Sequence, residues 1–351
     1  MTRSCICPLV LSLFLGACAG PSGGTAEVRA RGQTFPVADR DDAADDPAIW
    51  IHPTDPAQSL VLGTNKKAGL CVYNLSGDQV AFFPVGRLNN VDLRQGVLAE
   101  DGSRLDIAAA SHRDHIGISL FVISPGGVRE LTGSPVRVTV KEPYGLCCAL
   151  PASGTGLRVF VNDKEGRIEE WLVRVDAEGV AGASLTSTRK LPSQVEGMVA
   201  DEANGRLFVG EERVGIWSFP LDGPNSTRGT LIARASWFGP LRPDVEGLAI
   251  APTGAQSGYL LCSSQGDNTL VAYDRAPPHA YRGKFRIVAG AVGSVEETDG
   301  IDVYTRSLGP LYPAGVLVTQ DGENTPAPQN FKLTPWDEVA QALDATARRA
   351  N

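Results

Sequence analysis

One short run recurs along this 351-residue chain: an oxygen-bearing residue opening an apolar, strand-like stretch. It appears as DDPAIW with Asp46, NVDL with Asp92, PYGL with Tyr144, VEGM with Glu196, VEGL with Glu246 and TDGI with Asp299. Successive markers lie 46, 52, 52, 50 and 53 residues apart. A period of roughly 40 to 50 residues built from short strands is the signature of propeller blades. The reading is therefore an all-β chain, a six-bladed β-propeller. Its ring would set five carboxylates and one phenol at equivalent positions around a central shaft. Like charges crowded into one mouth repel unless cations sit among them, so the repeat predicts a metal site.

Each marker run is followed by a second apolar stretch, such as SLVLGT, LRVFVN or GVLVTQ, and then by a third strand. Continuous Val, Leu, Ile and Ala suit strands covered on both faces. Charged loops join second to third strands: Asn65-Lys66-Lys67, His112-Arg113-Asp114, Asp163-Lys164-Glu165, Glu211-Glu212-Arg213, Gln265-Gly266-Asp267 and Gln320-Asp321-Gly322-Glu323. Cationic groups dominate the first three and acids and amides the last three. On one shared rim they would make one side basic and the other cation-binding. After the last strand, Thr334 reads as an N-cap and Pro335 as the first helical position, giving a short surface helix over 335–349.

Composition sets the outer limits. Apolar residues make up 42% and charged residues 21%, a globular balance. A formal charge of −8 without a basic run argues against a nucleic-acid partner. Met1–Arg3, the apolar Pro8–Leu15 and the small residues before Cys18 read as a signal over 1–17, similar to a bacterial lipoprotein signal that leaves Cys18 acylated; a plain cleaved signal is the alternative. Residues 18–35 read as a flexible tether and 36–351 as the propeller. The expectation is an exported monomer, lipid-anchored at the cell envelope (outer membrane), or else periplasmic or secreted. Its only membrane contact would be the lipid. Cys71, Cys147, Cys148 and Cys262 form no C-x-x-C pair and read as small buried hydrophobes, with one disulfide left open.

With these motifs laid out, DDPAIW, TNKKAGL, LNNVDLR, VEGMVADE, VEGLAI, SSQG, TDGIDV, QDGEN and QNFK resemble the β-propeller phytases, the calcium-dependent alkaline phytases. The resemblance runs over residues 36–340. It implies a 3-phytase-type phosphoric monoester hydrolase, releasing phosphate stepwise from phytate (myo-inositol hexakisphosphate) or its calcium complex, with several calcium ions and attack by an activated water. By position it implies Glu196, Glu246, Asp299 and Tyr144 at the catalytic centre, with Asp45, Glu212, Asp244 and Gln265 joining the metal ligands. Lys66, Lys67, Arg113 and Lys164 would bind substrate phosphates, and Asp46, Asn90, Asp92 and Asn330 a structural calcium tying early blades to the last. Residues 325–328, between QDGEN and QNFK, form a shorter segment than the family pattern, and the lipoprotein-like start is not general in the family.

The chemistry of the residues agrees independently. Carboxylate and amide oxygens, with only four histidines in the chain, favour calcium or magnesium over zinc or copper. A phosphate monoester, about −1.5 to −2 in charge, could approach such acids only with bridging cations. There is no Arg-His-Gly segment and no Cys with Arg six positions later, so phosphohistidine and phosphocysteine routes lack their motifs. A calcium propeller lactonase or phosphotriesterase, and a non-catalytic envelope-anchored binding propeller, remain alternatives on this scaffold.

Overall fold

The apolar runs pair as antiparallel ladders in six sheets, each a blade. A computed structural model describes residues 24–350 apart from Ser153 and Asn225. The inner strands Ala44–Trp50, Leu88–Leu98, Leu146–Ala149, Val195–Asp201, Val245–Pro252 and Ile301–Tyr304 each touch the next, and the last touches the first, closing a ring. Middle strands such as Val316–Asp321 and Leu157–Asn162 are buried throughout, because both faces meet neighbouring blades. The chain is thus a six-bladed β-propeller with one short C-terminal helix.

Close approach at the shaft explains the glycine that follows four of the markers. A Cβ on Gly145 would lie 1.9 Å from the Glu196 carbonyl oxygen, one on Gly197 2.1 Å from that of Glu246, and one on Gly247 2.6 Å from that of Asp299. The amide of Gly247 donates to the Asp299 carbonyl at 2.6 Å, and that of Gly300 to the Asp45 carbonyl at 3.0 Å. Neighbouring blades meet there backbone to backbone.

Three expectations change. Part of the tether assigned to 18–35 belongs to the fold. Gly32–Gln33 is the outer strand of blade six, paired with Asn330–Pro335, and Ala26–Arg29 adds a parallel fifth strand to blade five beside Tyr281–Val288. Each blade also carries an outer strand beyond the three read from the sequence, such as Gln79–Phe83 or Ala181–Lys190. Finally, the helix is Trp336–Ala350, and Pro335 ends the preceding strand. Thr334 does not cap it: its hydroxyl is buried without a partner. Trp336, Val339 and Leu343 bury one helical face against Val28, Phe285 and Ile287, so the helix clamps the added strand. Cys71, Cys147, Cys148 and Cys262 are all buried and free. The signal and Cys18 lie outside the described residues.

If residues 26–33 close the ring, deleting everything before Thr34 strips Val28 and Ala30 from a buried cluster. The thermal unfolding midpoint of the truncated protein should fall by more than about 5 °C, where loss of a mere tether would leave it unchanged.

Candidate active site

Blade register shows which residues occupy the ring. Before the bulge in four of the inner strands, Val195 pairs with Glu211, Ala44 with Asn65, Leu88 with His112 and Val245 with Ser264. The residue after each is therefore equivalent: Glu196, Asp45, Asn89 and Glu246. Tyr144 and Asp299 complete the set through Gly145 and Gly300. Asp46 and Asp92, read as markers from the sequence, sit one and three positions further down the shaft. The bulge inserts residues between the ring position and the apolar run, so counting back from that run lands short. Asn89 is the member that sequence reading missed; it stands in the LNNVDLR run but is an amide rather than an acid.

The ring is tied together side chain to side chain. Asn89 donates to Asp45 at 3.1 Å and to Glu196 at 2.9 Å. The Lys66 ammonium lies 3.0 Å from Asp45 and 2.9 Å from Asp299, and also meets Asp42. Gln265 donates to Asp299 at 2.8 Å. Carboxylate oxygens of Glu196, Glu212 and Glu246 lie within 4.8 Å of one another, and all three residues are buried. These residues, with Tyr144, Asp244 and Glu297, line a cavity of about 330 Å³.

Electrostatics there are strained by charge of one sign. Burial first, then Asp45 and Asp299, push the Glu196 carboxyl up; burial, Glu196 and Asp299 do the same to Glu246. Asp299 is pushed up to about 7, by burial and then Asp45, against the pull of Lys66. Burial disfavours the Lys66 ammonium, yet Asp45, Asp299 and Asp42 outweigh it and hold the charge firmly. Burial and the carboxylates of Glu196, Glu246 and Asp45 raise the Tyr144 phenol, which therefore keeps its proton. Oε1 of Glu212 and Oε2 of Glu246 are buried with no hydrogen-bond partner. Buried carboxylate oxygens left without partners in one acidic cluster are what a hard divalent cation would satisfy, so the residues fit such an ion.

Basic side chains gather at the Tyr144 ring. Lys164 lies 4.3 Å from the centre of the Tyr144 ring, and the Arg113 guanidinium 6.0 Å from it. Arg113 also donates to Asn89 at 3.2 Å and to Glu142 at 2.8 Å. Lys67 does not join them. Its ammonium meets the Arg40 carbonyl and lies 3.9 Å from Asp41, on the outer loop.

Of the group read as structural ligands, Asp46, Asn90 and Asp92 come together, lining a lower chamber of about 240 Å³ with Asp302, Arg94 and Arg275. Asp302, the second acid of TDGIDV, was missed by sequence reading; burial and then Asp92 push it up to about 7. Asn330 is elsewhere. Its Oδ1 accepts from the fully buried Lys332 ammonium at 2.9 Å, as do Gln33, Asn324 and Asp321. That lysine already supplies the positive charge read there as calcium. In the second-blade loop Asp114 pairs with Arg87 at 2.7 Å, and His115 packs on buried His112.

Fold and site together define a β-propeller with a buried acidic mouth and basic side chains gathered at Tyr144. Residues 11–349 match the family model described as Phytase. The chain is also 38% identical over 330 residues, 90% of its length and 85% of the relative's, to a protein named 3-phytase from Bacillus subtilis (strain 168). It belongs to the β-propeller phytase family.

The raised carboxyls set a pH dependence for the metal-free protein. A carboxyl whose folded pKa exceeds its unfolded value stabilises the fold below the unfolded value, and that contribution is lost as pH rises through the folded one. Glu196, Glu246, Asp299 and Asp302 all shift upward. In chelator, the unfolding midpoint should therefore fall between about pH 5 and about pH 9; a midpoint that rises with pH in chelator would contradict this.

Proposed function

We propose that this protein is a calcium-dependent 3-phytase that releases inorganic phosphate stepwise from phytate or its calcium complex. The observation that carries the reading is the pair of partnerless buried oxygens on Glu212 and Glu246, in a mouth lined also by Tyr144, against whose ring Lys164 and Arg113 lie. Membership of the phytase family and likeness to a protein named 3-phytase support phytate as the substrate.

In this reading Glu196, Glu212, Glu246, Asp299 and Asp45 hold the calcium ions, with Asp244 and Gln265 at the rim. Bound there, calcium would neutralise phosphoryl oxygens and lower the pKa of water enough to supply a nucleophile. The chain's residues do the positioning that phosphoryl transfer chiefly requires. Lys164 and Arg113 draw a phosphate toward the Tyr144 ring. The protonated Tyr144 phenol offers a hydrogen bond to a phosphoryl oxygen. Lys66, parked between Asp45 and Asp299, is a cation within reach of a phosphate once other charges occupy those carboxylates. Neutral esters would have no use for these cations, which disfavours a lactonase or phosphotriesterase.

Phosphate release from phytate should appear with calcium, vanish on thorough chelation and return on readdition; activity untouched by chelation would sink the reading. Glu246→Gln should retain the fold and lose about 100-fold or more in kcat, measured by released phosphate. We further propose that the chain acts as a monomer, since its ring closes on its own strands, and that it is exported and lipid-anchored at the cell envelope through Cys18. Cys18→Ala should move it from the membrane to the soluble fraction; an unchanged distribution would reject the anchor.

A further inference from the structure

On the outer side of the acidic mouth lies a second, larger cavity of about 720 Å³. The two share a wall of Asp244, Gln265 and Glu297, and the outer one is completed by Arg213 and Trp237. Trp237 is 63% exposed, and Phe238 beside it is fully exposed. Large aromatics left in water on a loop are the informative exception to burial, not the rule. Nor is this loop loosely held. Gly239 donates to the Ser236 carbonyl at 3.0 Å, Ser236 to the Leu241 carbonyl at 2.9 Å, and Leu241 is buried beneath. The indole is thus presented on a fixed turn at the edge of a charged site. Arg213 is equally available: its side chain is 86% exposed, and its ion pair with Asp244 is loose, at 4.0 Å.

We propose that Arg213 and Trp237 form an outer subsite for the part of a ring polyphosphate remote from the reacting phosphate. The proposal rests on the phytate reading above and extends it. A ring bearing phosphates all round cannot place one of them among the acids without bringing others over the rim. On the side of Lys66, Arg113 and Lys164 those neighbours meet cations. Over Glu212, Asp244 and Glu297 they would meet like charge, and Arg213 is the cation set within that stretch of rim. Its planar fork can grip a phosphate through two parallel hydrogen bonds. The indole offers a flat apolar face to the C–H face of the carbocycle while tolerating water at its edge. Binding energy gathered there, away from the reacting phosphate, discriminates a ring polyphosphate from a small monoester.

The test compares phytate with glycerol 2-phosphate, both with calcium, in the wild-type protein and in Trp237→Ala, Arg213→Ala and Trp237→Phe. The readout is the ratio of KM for phytate to KM for glycerol phosphate. It should rise about three- to tenfold in each alanine variant and stay within about twofold of wild type in Trp237→Phe. A ratio unchanged in both alanine variants overturns the subsite, as does an equal rise of KM for the two substrates; unfolding midpoints confirm that each variant is folded. Should the wild-type protein release no phosphate from phytate, the hydrolytic reading fails by itself, and tryptophan emission then decides the subsite. Quenching by phytate that is lost in Trp237→Phe supports it, and quenching that survives the substitution overturns it.

Discussion

Backbone-to-backbone contact between neighbouring inner strands is the constraint on which everything else rests. At Gly145, Gly197, Gly247 and Gly300 a side chain would collide with the carbonyl or side chain of the next blade. Removing the Cβ lets the strands close on a narrow shaft, and hydrogen bonds such as Gly300 to the Asp45 carbonyl fix their level. The residue preceding each glycine is thereby carried to the same height on the rim. Convergence of Tyr144, Glu196, Glu246 and Asp299 is a by-product of that packing. The chemistry uses a geometry that the fold must adopt in order to close.

Closure has an electrostatic cost, met by cations of the chain itself. Lys66 lies among three carboxylates at the mouth, and Arg94 and Arg275 stand among the acids of the lower chamber. Lys332 sits wholly buried amid four oxygens where blade six meets the N-terminal strand. An ammonium so enclosed is tolerable only with its donors matched and its charge balanced. Compensation is incomplete at Glu212 and Glu246, which keep oxygens without partners. The acids around Lys66 and Lys332 are answered from within the sequence, and the two unanswered oxygens at the mouth are the ones a cation from outside would satisfy.

How much could be read in advance depended on whether a feature repeats. Blade number, the buried second strands, and Lys66, Arg113 and Lys164 were legible because the same loop or run returns six times. Asp46 and Asp92 were misplaced because a bulge alters the count between ring and strand, and nothing local in the sequence marks it. Asn89 was overlooked since an amide does not look like an acid, although it binds Asp45 and Glu196 together. The outer strands escaped for another reason: Ala181–Lys190 is mostly exposed or half-buried, so its apolar content is thin. Gly32–Gln33 is two residues long and pairs with Leu333 and Lys332, a partnership no window along the chain can reveal.

That last pairing has a bearing on how the molecule is born. Ala26 is registered against Phe285 and Gly32 against Leu333, so segments made first must wait for segments made almost last. Joining ends that far apart exacts the entropy of a long loop, and folds dominated by distant pairings form slowly. A ribosome part-way through this message would hold a row of blades with a raw edge at either side. Only arrival of the final hundred residues converts an open fan, prone to stick to its neighbours, into a wheel without a seam.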